Sequence, residues 1–129
     1  MNIDTLIEKA HKNAVEKKFW EEEHHIGLTL ALIITEIAEA LESARIDNYA
    51  VLDDFTELDL LSEIHNGSFT EMGEKLFEEK IKDTFEDEIA DTFIRLADLC
   101  GKYKIDISKF IKYKMIYNKT RPAKHNKLF

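Results

Sequence analysis

The stretch FEDEIADTFIRLADL, residues 85–99, is central to the fold of this chain. It contains no Gly or Pro, and its apolar residues recur at helical spacing, so it predicts an amphipathic helix. Glu88 and Asp91 are three residues apart and therefore share one face of that helix, which Phe85 and Thr92 make partly apolar. Burial and mutual repulsion oppose the ionisation of two such carboxylates, and a divalent cation would compensate them. Taken alone, the stretch is more typical of a solvated acidic face, since charged residues are mostly exposed.

A second acidic pair changes this balance. In the apolar run from residue 26 to residue 41 the only charged residues are Glu36 and Glu39, again three apart. A helix that is apolar almost all round is predicted to be buried. If it packs beside residues 85–99, four carboxylates converge, which predicts a hard divalent metal bound through oxygen.

The bulk composition is that of an ordinary globular chain. Its 129 residues, 44% hydrophobic and 34% charged, predict a single domain over residues 1–129. The lone Cys100 cannot form an internal disulfide, which favours a reducing compartment, and we expect the cytoplasm. No apolar run approaches the roughly 20 residues of a membrane span, and no leader-like segment opens the chain. We therefore expect no membrane partner.

The charge is large and uneven. The net charge of −8 argues against nucleic-acid binding. From Lys102 onward there are nine Lys or Arg and one Asp, a balance of +8, so residues 1–101 carry −16. An acidic, metal-binding body with a basic tail suits a polyphosphate ligand. A solvated basic helix beside an acidic one explains the same composition.

The remaining segments predict further helices. Asn2 or Asp4 starts a first helix that runs to about residue 18, and the apolar run forms a second over about residues 26–44. Residues 45–71 contain many turn-formers and predict a lid or an insertion with one short helix.

The helix of residues 85–99 is expected to start as early as Glu74 and to stop near Gly101. A last helix begins at Asp106 or Ser108 and ends near Thr120. No strand signal is convincing. The sequence thus predicts an all-α fold, a bundle of four or five helices.

The two acidic motifs also carry a family resemblance. Glu36-x-x-Glu39 followed by Glu88-x-x-Asp91 resembles the signature of the MazG-like, all-α nucleoside triphosphate pyrophosphohydrolases. That superfamily includes MazG domains, the dCTP pyrophosphatases and the dimeric dUTPases.

Two further stretches add to the resemblance. Trp20 and His24 precede the first motif much as an aromatic residue and a His do in the dCTP pyrophosphatase-like branch. The sequence KMIYNKTRP, residues 114–122, is similar to a family tail of Lys, Asn and Arg-Pro that faces the phosphates. The resemblance covers most of residues 18–128, whereas residues 45–71 match nothing in it.

The resemblance implies an activity: Mg²⁺-dependent hydrolysis of a (deoxy)nucleoside triphosphate to the monophosphate and pyrophosphate, in a homodimer or homotetramer that cleans the nucleotide pool. Mn²⁺ is an alternative metal. Such a reaction requires neutralised charge and a positioned water more than covalent help from the protein. The residues implied at the site are Glu36, Glu39, Glu88 and Asp91 for metal binding and catalysis, Lys114, Asn118 and Arg121 for the phosphates, and Trp20 and His24 for base and sugar, with Lys124 and Lys127 as further phosphate candidates.

Two other functions stay open. A di-iron or di-manganese carboxylate bundle uses Glu from two helices and Glu-x-x-His from two others. The overlapping pairs Glu21-x-x-His24 and Glu22-x-x-His25 offer one such stretch. A non-catalytic helical oligomerisation or interaction module would use the apolar run of residues 26–34 as its subunit contact.

Overall fold

The computed structural model describes residues 1–122 and confirms the all-α fold class. The helices are α1 (Ile3–Glu16), α2 (Ile26–Arg45), α3 (Asp54–Ser62), α4 (Glu71–Lys80), α5 (Phe85–Lys102) and α6 (Ile107–Thr120). Two short strands, β1 (Ile64–His65) and β2 (Ser68–Phe69), pair between α3 and α4.

The chain divides into two compact units. The central unit is His24–Phe93, and the terminal unit combines Met1–Glu23 with the chain from Ile94. Helix α5 contributes to both, because the division falls within it. The single domain expected from chain length stays a prediction.

Side chains cap the first turn of each of the six helices in residues 1–122. Asn2 accepts a hydrogen bond from Thr5 N–H (2.8 Å) at α1, and Asp106 accepts one from Lys109 N–H (3.3 Å) at α6. Both were sequence candidates, since Asn and Asp satisfy the unpaired N–H groups of a first turn. Asp53 caps α3 in the same way.

The helix predicted over residues 85–99, ending near Gly101, is confirmed as α5, but its expected start as early as Glu74 is wrong. Helix α4 ends at Lys80, α5 begins at Phe85, and Asp83 between them adopts a left-handed φ of 62°. The Asp83 carbonyl accepts hydrogen bonds from Ser43 Oγ (3.1 Å) and Asn48 Nδ2 (2.8 Å). The break is therefore held by residues about 40 positions earlier, and this is the reason that six helices form where four or five were predicted.

The segment of residues 45–71 contains more regular structure than the one short helix expected from the sequence. Besides α3, it contains a hairpin in which Ile64 pairs with Phe69 and His65 with Ser68. Asn66 and Gly67 have φ of 53° and 79°, as a two-residue hairpin turn of type I′ requires. The expectation that the chain has no strands is corrected by this hairpin.

Helix α2 has the predicted length but is not buried. Only one stripe, from Thr29 to Ser43, is enclosed. The neighbouring stripe is about half exposed and consists of Leu30 (44%), Ile34 (64%), Ile37 (51%) and Leu41 (52%). No helix within residues 1–122 has the length and apolar character that a membrane span needs. Residues 1–122 thus leave this apolar stripe about half exposed.

Candidate metal centre

Backbone contacts within the central unit fix the first turn of α5 against the chain that follows α2. Phe85 N–H donates to the Asn48 carbonyl (2.9 Å), and Ala50 N–H donates to Glu86 Oε2 (2.7 Å). Thr84 Oγ1 accepts from Asp87 N–H (3.4 Å) and so caps α5. These contacts position the carboxylates of α5 relative to those of α2.

The two acidic pairs meet. Glu36, Glu88 and Asp91 each offer a carboxylate oxygen, and these oxygens all lie within 4.8 Å of one another. Glu36 is only 7% exposed and Glu88 only 6%, whereas Asp91 is more accessible to solvent. The convergence that the sequence predicted is therefore present, while the role of each residue stays a prediction.

Glu39, although exposed, completes this group through Glu88. Burial raises the pKa of Glu88 to about 7, and the charge of Glu39 and a hydrogen bond with it act in the same direction. The charges of Glu36 and Asp87 add to the rise in pKa. We call Glu36, Glu39, Glu88 and Asp91 the carboxylate cluster.

The carboxylate cluster fits a small divalent cation. Mg²⁺ binds oxygen ligands at about 2.1 Å, so two of its ligands lie at most roughly 4.2 Å apart, a spacing that small side-chain movements would reach here. A carboxylate that is buried among other carboxylates tends to keep its proton, because ionisation would place like charges close together. A bound cation offsets this repulsion and stabilises the ionised form. Asp83, Asp87 and Glu88 offer a second group of oxygens within 4.8 Å.

A cleft in the central unit adjoins the carboxylate cluster through Asp91. Its volume is about 530 Å³, and its walls come from β2, α4, the α4–α5 connection and α5. Phe69 and Phe77 lie on one side with their ring centroids 6.1 Å apart. We call it the aromatic cleft; the other residues that line it are Glu74, Glu78, Lys82, Asp83, Asp87 and Asp91.

Sequence reasoning missed the two phenylalanines of the aromatic cleft. The Asn66-Gly67 pair was the available signal, because such a dipeptide between short apolar runs is typical of a hairpin. The hairpin places Phe69 against Gly73, where an added Cβ would lie 2.8 Å from the Phe69 ring. Gly73 thus allows β2 to approach α4.

The predicted phosphate-binding residues lie in the terminal unit, on α6 and at its C-cap. Lys114 and Asn118 are one turn apart and exposed. Two cations lie over the ring of Tyr117: Lys114 Nζ is 5.2 Å and Arg121 Cζ is 5.7 Å from the ring centroid. Lys124 and Lys127 lie outside the described residues.

The predicted base- and sugar-binding residues fall in different units. Trp20, in the terminal unit, donates from Nε1 to both oxygens of Asp98 (2.8 and 3.1 Å), and Lys102 Nζ lies 5.1 Å from its ring centroid. His11 Nδ1 also donates to Asp98 (2.8 Å). His24 is half-buried in the segment before α2.

The Glu-x-x-His stretch named for the di-metal alternative does not form a helix face. Residues 21–25 lie between α1 and α2 and are not helical, so their Glu and His residues do not share a helix face. A further pair, Glu8 and His11, does lie on α1 in the terminal unit, where His11 Nδ1 is hydrogen-bonded to Asp98.

Comparison of this chain with protein-family models, with curated proteins and with solved structures finds no match. The resemblance to the MazG-like pyrophosphohydrolases therefore rests on the motif residues themselves.

Proposed function

We propose that this protein is a Mg²⁺-dependent nucleoside triphosphate pyrophosphohydrolase of the MazG-like type, a hydrolase of acid anhydrides that acts in nucleotide-pool housecleaning in the cytoplasm. The observation that carries the proposal is the convergence of Glu36, Glu88 and Asp91 in the central unit. Two of the three carboxylates are buried, and their spacing suits a cation that a triphosphate can share.

The proposed reaction consumes one water and one nucleoside triphosphate and gives the monophosphate and pyrophosphate. Glu36, Glu39, Glu88 and Asp91 would hold Mg²⁺, or Mn²⁺ in its place, which would supply positive charge to neutralise the phosphates. One of the four carboxylates would accept the proton of the attacking water. The resemblance assigns the phosphate contacts to Lys114, Asn118 and Arg121.

The test is a screen of common and damaged (deoxy)nucleoside triphosphates for pyrophosphate release, with Mg²⁺ and with EDTA. The parent protein is expected to release pyrophosphate from at least one of them only when Mg²⁺ is present. Glu36→Gln and Asp91→Asn, which preserve shape and remove charge, are expected to lower kcat roughly 100-fold or more.

The matched control is Glu8→Gln, because Glu8 is an exposed carboxylate on α1 in the terminal unit. It should retain the parent activity. Release that continues in EDTA, or in both Glu36→Gln and Asp91→Asn, would refute the proposed function, as would a parent protein inactive toward every nucleotide.

We also propose that the chain works as a homodimer or homotetramer. Leu30, Ile34, Ile37 and Leu41 follow the alternating four- and three-residue spacing of a coiled-coil seam, and all are about half exposed. A second copy of the same helix is a complementary partner for such a stripe, since a twofold axis pairs a surface with itself. This stripe also supports the alternative of a helical interaction module, which differs by having no hydrolytic activity.

Light scattering after gel filtration tests the assembly. The parent is expected to have a multiple of the 15.1 kDa chain mass, and Ile34→Glu is expected to shift it toward the monomer. Glu42→Lys, also exposed on α2, changes charge outside the apolar stripe and serves as its control. A monomeric parent would contradict the proposed assembly.

A further inference from the structure

We propose that the aromatic cleft binds the nucleobase and favours bases that carry an exocyclic amino group, such as cytosine and adenine, over their carbonyl counterparts uracil and hypoxanthine. This inference rests on the proposed function, because it assigns the base end of the same substrate. Neither Phe69 nor Phe77 was among the base-binding candidates of the sequence.

The position of the cleft suits the base end of a nucleotide whose phosphates lie at the carboxylate cluster. Asp91 belongs both to the carboxylate cluster and to the lining of the cleft, so the two are continuous within the central unit. From Asp91 the cleft continues along α5 to Asp87, one helical turn or about 6 Å away. A nucleotide whose phosphates lie at the cluster can thus place its sugar along α5 and its base beyond it.

The aromatic walls of the cleft suit stacking against a base. Phe69 and Phe77 are half-buried, and their rings lie at 38° to each other. An aromatic ring gives a base a face on which to stack. The volume of about 530 Å³ falls within the range of small-molecule pockets and accommodates a nucleoside.

The charged groups of the cleft favour one class of base. Besides Asp91 of the carboxylate cluster, four of the eight residues that line it are Asp or Glu, and Lys82 is the one cation among the eight. Ionised carboxylates accept hydrogen bonds and cannot donate them. Cytosine N4 and adenine N6 are amino donors, whereas uracil and hypoxanthine present a carbonyl oxygen there, which a carboxylate repels.

Two pairs of substrates isolate the amino group: dCTP against dUTP, and dATP against dITP. In each pair the parent is expected to have the higher kcat/KM for the amino-bearing member, by roughly tenfold to 100-fold. Glu78→Gln is expected to reduce this ratio. Glu79→Gln is the matched control, because Glu79 is exposed on the same helix and does not line the cleft.

The stacking contact is tested by Phe77→Leu, which keeps an apolar side chain and removes the ring. KM for each substrate is expected to rise roughly tenfold while kcat stays close to the parent value, since the carboxylate cluster is untouched. Circular dichroism of this variant shows whether it folds, and the surface change Glu78→Gln keeps the proposal testable if it does not.

Binding of the nucleosides deoxycytidine and deoxyuridine, followed by chemical shifts in the ¹⁵N-labelled protein, separates the two proposals. If the parent is active, and neither Glu78→Gln nor Phe77→Leu changes its base preference or KM, the proposed role of the cleft is refuted and the proposed function stands. Inactive protein that still binds deoxycytidine more tightly than deoxyuridine, and loses this binding in Phe77→Leu, would overturn the proposed function and support the cleft. Absence of both hydrolysis and nucleoside binding would overturn both.

Discussion

Helix α5 carries two buried carboxylates, Glu88 in the central unit and Asp98 in the terminal unit, whose surroundings are opposite. Asp98 accepts hydrogen bonds from His11 Nδ1 and Trp20 Nε1, so its charge faces donors. Glu88 faces other carboxylates, and its pKa is raised to about 7. The hydrogen bonds of Asp98 give it a structural role, because they connect separate segments of the terminal unit. The arrangement around Glu88 is costly for folding and is explained if a cation is bound there.

The largest expected difference between the two sites is in activity. Glu88→Gln is predicted to reduce pyrophosphate release roughly 100-fold or more, because it removes a buried ligand charge and keeps the shape of the side chain. Steady-state kinetics with Mg²⁺, on protein whose circular dichroism matches the parent, measures it. A variant within threefold of the parent would remove Glu88 from the site.

The corresponding change in the terminal unit is predicted to affect stability. Asp98→Ala leaves the Trp20 indole N–H and the His11 ring without their acceptor, which costs about 2–4 kcal/mol of unfolding free energy. Urea denaturation measures the loss, with Asp59→Ala on the exposed surface of α3 as the control. Equal midpoints for Asp98→Ala and the parent would show that the network contributes nothing.

The pH dependence of stability is predicted to follow Glu88. Its folded-state pKa is raised from 4.5 to about 7, so its contribution is fully present below pH 4.5 and is lost as the pH rises through 7. Without metal, the unfolding free energy should fall on the order of 2 kcal/mol between pH 5 and pH 8 on account of this group. Urea titrations with EDTA measure this fall, which should be smaller in Glu88→Gln.

Excess Mg²⁺ should restore the stability lost at pH 8, because a cation binds the ionised carboxylates of the folded state. The same fall in the parent and in Glu88→Gln would mean that other groups cause it.

The smallest predicted effect concerns Trp20. Trp20→Phe keeps an aromatic ring and removes the indole N–H that Asp98 accepts, so stability should fall by roughly 1 kcal/mol while KM stays within twofold. Thermal melts and substrate titrations measure the two quantities. A rise in KM at unchanged stability would instead favour contact between the Trp20 indole N–H and the nucleotide.

Local signals in the sequence were sufficient for several features of the fold. Asn2 and Asp106 identified the starts of α1 and α6, because helix caps depend on residues within one turn. The three-residue spacing of Glu36 and Glu39, and of Glu88 and Asp91, was enough to place each pair on one helix face. Their convergence was conditional on the packing of the two helices, which the spacing within each helix does not establish.

Features that depend on distant residues escaped prediction. No Gly or Pro marks the break at Asp83. Ser43, near the end of α2, and Asn48, just after α2, stabilise the break instead. The apolar sequence of α2 indicated burial, but hydrophobic periodicity does not reveal whether the same chain or a partner supplies the cover. The aromatic cleft depends on a hairpin whose turn residues were recognised without their pairing.

Titration calorimetry of the metal-free protein with Mg²⁺ or Mn²⁺ measures directly whether the carboxylate cluster binds a cation. We expect saturable binding to the parent, affinity at least tenfold weaker in Glu88→Gln, and unchanged affinity in Glu8→Gln. No saturable binding, or equal affinity in all three proteins, would contradict a cation site at the carboxylate cluster.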